Sequence, residues 1–199
     1  SPPSACSPSH NPARQFAEAV AKGVRLAGGL PFIFPTISLH EAFAGPSSLL
    51  LRNLMAMDVE EMVANLPLDA VVLIGGCDKT IPAELMGAIS AGVPAVHLVV
   101  GPMITGRYRG ERLGACTDCR GFWARYRAGD VSHDEINQVE ENLAVTAGTC
   151  AVMGTASTMA CLSEVLGMSL PGSAAVPAVH ADRLRIAEAS GVEAVRLGA

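Results

Sequence analysis

The spacing of apolar residues along this chain switches repeatedly between a helical and an extended period. From 13 to 27, Phe16, Val20, Val24 and Ala27 recur at helical spacing, and Gly28-Gly29 ends the pattern. Residues 31–38 are apolar and β-prone, which predicts a strand despite Pro35, with His40-Glu41 at its end. Ser47 or Ser48 suits the cap of a helix whose apolar face runs through Leu51, Leu54, Met55, Val59 and Met62. Pro67 closes that helix, and a second strand is expected over 69–75. A further helix carries Leu85, Met86 and Ile89 to Gly92, and 94–100 reads as a third buried strand. Strand and helix thus alternate, the signature of right-handed crossovers and a parallel sheet. The expected fold class is α/β, a mainly parallel sheet with helices on both faces, spanning 1–199 as one domain.

Beyond 100 the pattern is less regular. Residues 101–117 are rich in Gly and Arg and read as a loop. A helix follows through Phe122, Trp123 and Tyr126. Ser132 and Glu135 form a capping-box pair that starts another helix, expected to run to Ala147-Gly148. The small residues from Met153 to Met159 open a helix ending at Gly167, Pro171-Gly172 is a turn, and 181–189 is helical.

The central stretch is Val71-Val72-Leu73-Ile74-Gly75-Gly76-Cys77-Asp78-Lys79-Thr80-Ile81-Pro82-Ala83. A buried strand stops at two glycines and delivers Cys, Asp and Lys beside a helix start, where Pro82 costs no hydrogen bond. Ligands of α/β folds bind at that carboxyl edge. A plain strand-end turn with a buried thiol and a surface Asp–Lys pair is the bland alternative; two glycines and three reactive groups together favour a site.

Composition narrows the classes. Half of the 199 residues are hydrophobic and the net charge is −5, so a substantial core is expected and disorder is not. Scattered arginines on an acidic chain argue against nucleic acid. No apolar run reaches membrane-spanning length. The N-terminus has neither a basic n-region nor an apolar h-region, so no secretory signal is expected. It also lacks an initiator Met, which points to a missing N-terminal portion. Six cysteines spread through a core-rich chain read as a reducing, cytoplasmic setting.

Three sets of residues carry candidate chemistry. Cys77 and Cys150 each follow a glycine-containing bend and precede a helix, so they suit one iron–sulfur cluster or two separate buried thiols. Glu41 and Asp78 both stand at predicted strand ends, where they could share a hard cation such as magnesium or cap the next helix. Lys79 is a partner for Asp78, a modified ligand or a base. Cys116-x-x-Cys119 lacks further zinc ligands nearby and fits a partly buried helix start better. His97, inside the third strand, reads as a satisfied core histidine, and His133 and His180 as surface residues.

Three stretches together resemble the dihydroxy-acid and sugar-acid dehydratase family. They are Gly75-Gly76-Cys77-Asp78-Lys79-Thr80-x-Pro82-Ala83, Gly148-Thr149-Cys150-x-x-Met153-Gly154-Thr155-Ala156-Ser157-Thr158-Met159 and Leu170-Pro171-Gly172-Ser173. Ile37-Ser38-Leu39-His40-Glu41 is similar to the aldonate branch; enzymes of branched-chain amino-acid synthesis carry Asp-Gly at the Glu41 position. The resemblance implies a hydro-lyase acting on a small-molecule sugar acid, a pentonate such as L-arabinonate or D-xylonate, to give a 2-keto-3-deoxy acid. It implies a [2Fe–2S] cluster on three cysteines, two of them Cys77 and Cys150. It implies Mg²⁺ held by Glu41, Asp78 and Lys79, the lysine carbamylated and catalytic, and a homo-oligomer in the full-length protein. The family's first cluster cysteine stands in a Cys-Asn-x-His context. Counting back without gaps places Ser9 there and Cys6 three residues upstream, so either Cys6 serves or the third ligand is absent.

Family enzymes are roughly three times this length, on the scale at which chains divide into domains. Their C-terminal β-rich domain, which carries a further metal carboxylate and the serine base, has no counterpart in 1–199. On that footing the chain reads as an N-terminal fragment, inactive alone. A dihydroxy-acid dehydratase of branched-chain synthesis and a non-catalytic remnant or interaction module are the alternatives.

Overall fold

The apolar run that ends at Gly75 forms β1 (Val71–Gly75), and the run after Pro94 forms β2 (Ala95–Val99). They pair in parallel with Val71 opposite Ala95 and Gly75 opposite Val99. This computed structural model describes residues 13–37, 39, 45, 47–114 and 117–199.

Alternate side chains of β1 go to opposite faces, as a strand requires. Val71 and Leu73 join Val59, Val63 and Ala88 on one face. These come from α2 (Arg52–Asn65) and α3 (Thr80–Ala91). Val72 and Ile74 pack on the other face against Phe16, Val20 and Ala187. Those belong to α1 (Ala13–Leu26) and α7 (Ala181–Gly198). Helices therefore cover both faces of the parallel pair, as the alternating pattern predicts. A 3₁₀ turn, Ser48–Leu51, leads into α2, and the Leu49 N–H donates to Ser47 Oγ at 3.2 Å, so Ser47 is the cap.

The expectation of a mainly parallel sheet is corrected in two places. Residues 31–37, expected to be a strand, are irregular. Pro31 and Pro35 supply no N–H to a ladder, and the Ile37 N–H donates to Asp58 Oδ2 at 2.7 Å instead. The second correction lies in 101–117, read as a loop. It contains an antiparallel hairpin of β3 (Gly106–Tyr108) and β4 (Glu111–Leu113). Both turn residues, Arg109 and Gly110, have positive φ (48° and 86°), the combination that matches strand twist in a tight hairpin. Arginine is uncommon there, which hid the turn.

The remaining helices are α4 (Thr117–Ala128), α5 (His133–Glu141) and α6 (Thr155–Val165). Ser132 caps α5 by accepting the Glu135 N–H at 3.2 Å, as its capping box predicts. That helix stops at Glu141 rather than continuing to Gly148, and α7 runs nine residues past the expected 189 to Gly198. Among the described residues no helix is long and apolar enough to cross a membrane.

Candidate active site

The carboxyl end of β1 meets two other segments. The Val100 N–H donates to the Gly75 carbonyl at 2.9 Å, and the Thr149 N–H donates to the Gly101 carbonyl at 2.9 Å. Pro102 and Thr149 complete a parallel bridge. This close approach explains two glycines. A Cβ on Gly76 would lie 2.7 Å from Thr149 Cγ2 and 2.8 Å from Val100 Cβ. Gly148 sits at φ +137°, and a Cβ there would meet the Met103 nitrogen at 2.5 Å. Only glycine fits either position, so Cys77 and Cys150 leave from loops in contact with each other.

Asp78 is the hub of the turn. Its Oδ1 accepts from Cys77 Sγ at 3.1 Å and pairs with Lys79 Nζ at 3.1 Å. Its Oδ2 accepts from Thr155 Oγ1, the first residue of α6, at 2.7 Å. Burial alone would raise the Asp78 carboxyl, but donation from Thr155, Cys77 and Lys79, with the lysine's charge, outweighs it and leaves the group below its ordinary value. Burial pushes the Cys77 thiol up to about 11; the Lys79 backbone N–H opposes this rise and the Asp78 carboxylate adds to it. At neutral pH the thiol therefore holds its proton at Sγ. Lys79 is 8 % exposed, an unusual place for an ammonium unless it is paired.

Thr155 makes this geometry testable. Asp78's lowered value means that its carboxylate stabilises the fold above the ordinary unfolded value of about 3.9, and that this contribution disappears as pH falls through the lower folded value. Thr155→Val removes one donor, so the Asp78 carboxyl is expected to titrate higher and the pH window of its contribution to narrow. A carbon-13 NMR titration of Asp78 reads this directly; an unmoved midpoint would remove Thr155 from the role.

The predicted site residues separate as follows. Cys77, Asp78 and Lys79 stand together, and Cys150 leaves the adjoining loop and is exposed. Glu41 and Cys6 lie outside the described residues, as do His40 and Cys116. Cys119 packs with Tyr108 and Leu113, and Cys161 with Ile81 and Leu85, so both sit in apolar clusters. His97 is a buried, fully partnered core residue, as read from the sequence. Among the described residues no three of His, Cys, Asp and Glu converge as a complete metal shell.

The donors present suit the implied groups. A carbamate on Lys79 Nζ would turn the Asp78–Lys79 ion pair into adjacent oxygen ligands, the kind magnesium takes. Two cysteines on touching loops suit a shared iron–sulfur cluster. Three residues had no role in the sequence reading. Thr155 was visible within its small-residue motif, whereas Glu84 and Arg183 gave no signal, being charged residues at core positions.

The sequence matches the dihydroxy-acid/6-phosphogluconate dehydratase N-terminal family over residues 2–199. It is 44% identical over 184 residues to L-arabonate dehydratase of Azospirillum brasilense, covering 92% of this chain and 32% of that protein. It is 40% identical over 191 residues to 6-deoxy-6-sulfo-D-gluconate dehydratase of Pseudomonas putida, covering 96% and 33%. It is also 40% identical over 195 residues to a dihydroxy-acid dehydratase of Carboxydothermus hydrogenoformans, covering 96% and 35%. The chain thus spans about a third of the length of the curated relatives it matches. Both long motifs meet at one edge of the fold, and the chain belongs to the dihydroxy-acid/6-phosphogluconate dehydratase family, whose N-terminal region it matches.

Proposed function

We propose that this chain is the N-terminal α/β domain of a hydro-lyase that removes water from a sugar acid, a pentonate such as L-arabinonate or D-xylonate, to give a 2-keto-3-deoxy acid. One observation carries the reading. The two long motifs meet twice, through Gly76 against Thr149 and through Asp78 hydrogen-bonded to Thr155. Relatives named for L-arabonate and for a sulfogluconate support an acidic, polyhydroxylated substrate.

In this reading Asp78 and Lys79, with Glu41, hold Mg²⁺, and Cys77 and Cys150, with Cys6, hold a [2Fe–2S] cluster. When bound, these groups supply the charge that acidifies the substrate's C2 proton and the Lewis acid that assists departure of its 3-hydroxyl. The chain's own residues prepare that chemistry. Thr155 fixes the Asp78 carboxylate by donating to it, and the largely buried Lys79 pairs with it from the other side. The Cys77 proton at Sγ must leave before the sulfur can ligate iron, since thiolate is the binding form. Loss of the C2 proton and the 3-hydroxyl gives an enol, which ketonises.

The whole protein is proposed to be cytoplasmic and homo-oligomeric; apolar Leu50 and Val165, 70% and 82% exposed, are in keeping with partner surfaces. The test is keto-acid formation by the anaerobically reconstituted full-length protein. Turnover of about 1 s⁻¹ or more on L-arabinonate or D-xylonate is expected, with a branched 2,3-dihydroxy acid at least tenfold slower. Preference for the branched acid would move the protein to the branched-chain reaction. No turnover on any of the three would reject the hydro-lyase assignment.

A further inference from the structure

Four polar side chains lie in the interior with almost no access to water: Glu84, His97, Ser163 and Ser169. They form an unbroken chain. Glu84 Oε2 is 3.0 Å from His97 Nε2, His97 Nδ1 is 2.8 Å from Ser163 Oγ, and Ser163 Oγ is 2.8 Å from Ser169 Oγ. Run from the Ser169 hydroxyl toward Glu84, every hydrogen finds an acceptor. The His97 backbone N–H also donates to the Met168 carbonyl at 2.6 Å. The carboxylate packs on the end of β1, where a Cβ on Gly75 would lie 2.2 Å from Glu84 Oε2.

The chain connects the two helices that open at the site. Glu84 is on α3, which begins directly after Lys79, and Ser163 is on α6, which begins with Thr155. His97 on β2 bridges them. An apolar pair of similar volume is often as stable as a buried charged pair, or more so, so stability alone gives little reason for this arrangement. What it supplies is direction, because apolar packing tolerates sliding and a fully bonded polar chain does not.

We propose that Glu84, His97, Ser163 and Ser169 are positioning residues: they hold α6 in register with α3 so that the Thr155 hydroxyl meets Asp78. The inference rests on reading Asp78 as part of the active site, and its test separates the two.

The experiment uses the full-length protein and the double variant Glu84→Leu/His97→Leu, which removes both partners of the Glu84–His97 contact together. Glu84→Gln, which still accepts from His97, is the conservative control. Ser163→Ala breaks the chain at its middle with little change in volume and serves if the double variant does not fold. Hydrogen exchange of the Thr158 amide, bonded to the Gly154 carbonyl, reports on the first turn of α6; the Val100 amide, bonded to Gly75, reports on the β1–β2 edge. Thr158 exchange is expected to rise at least tenfold in the double variant and at least threefold in Ser163→Ala. It should stay within twofold of the parent in Glu84→Gln, with Val100 unchanged throughout. Manganese(II) affinity, read by EPR, should fall at least tenfold in the double variant and stay parental in Glu84→Gln. If the parent protein binds no manganese, the metal reading of Asp78 fails and the exchange measurement decides alone. Parental Thr158 exchange in the variants, or a rise matched by Val100, overturns the positioning role.

Discussion

Arg183→Met is expected to lower the unfolding free energy by about 2 kcal/mol or more, a large share of the stability of a domain this size. Arg183 is 0% exposed, and its partners are carbonyls rather than a carboxylate. Nη1 donates to the Val99 carbonyl at 2.8 Å, and Nη2 donates to the Ser173 carbonyl at 2.8 Å and also to that of Val176. Burial pulls the guanidinium down to about 10, which still leaves it charged at neutral pH. Methionine relieves the cost of burying that charge, so the two effects oppose each other. The relief is partial: the Ser173 carbonyl keeps the Val176 N–H at 3.3 Å, but the Val99 and Val176 carbonyls lose their Arg183 donor at about 1–3 kcal/mol each. Arg183→Lys keeps a donor and should recover part of the loss.

The same substitution should disturb the site. The Val99 carbonyl ends β2, two residues before Gly101, and Gly101 accepts from Thr149 beside Cys150. Arg183 thereby ties the Leu170–Ser173 motif to the strand whose continuation carries the second cysteine loop. Urea denaturation measures the first effect. A loss below 1 kcal/mol would mean that water or a rearranged loop satisfies the Val99 and Val176 carbonyls.

Most of what places the site was readable, for an identifiable reason. β1, β2, α2 and α3 are specified by local periodicity, and the Gly75-Gly76 break is marked by residue types that few other environments need. The Ser132 cap was equally local. What escaped depends on distant partners. Glu84 on a helix reads as solvent-facing until His97, on the next strand, is seen to lie 3.0 Å away. Arg183 reads the same way until three carbonyls surround it. The strand expected over 31–38 does not form over its described residues 31–37, because apolar content outweighed two prolines in the reading, whereas the backbone N–H of Ile37 had a better acceptor in Asp58. Glu41 and Cys6, expected to complete the metal and cluster shells, lie outside the described residues.

Cys77→Ser in the full-length protein is expected to abolish the visible absorption of a reconstituted cluster and to lower dehydration by about 10³-fold or more, the several kcal/mol that a Lewis acid supplies. The substitution suits the site sterically. Cys77 is part-buried between Gly76 and Asp78, and a serine hydroxyl can donate to Asp78 Oδ1 as the thiol does at 3.1 Å. Serine therefore keeps the turn, and with it the Asp78 contacts to Lys79 and Thr155, while removing the soft sulfur that iron–sulfur clusters require. Cys150→Ser should act in the same way, because its loop touches Gly76 through Thr149. Cys161→Ser is the contrast: that thiol packs among Ile81, Leu85 and Val99, so it should cost stability and leave the absorption intact. Near-parental far-UV circular dichroism in Cys77→Ser would separate a lost ligand from a lost fold. Unchanged absorption in both Cys77→Ser and Cys150→Ser would show that these two loops, though in contact, do not hold the cluster.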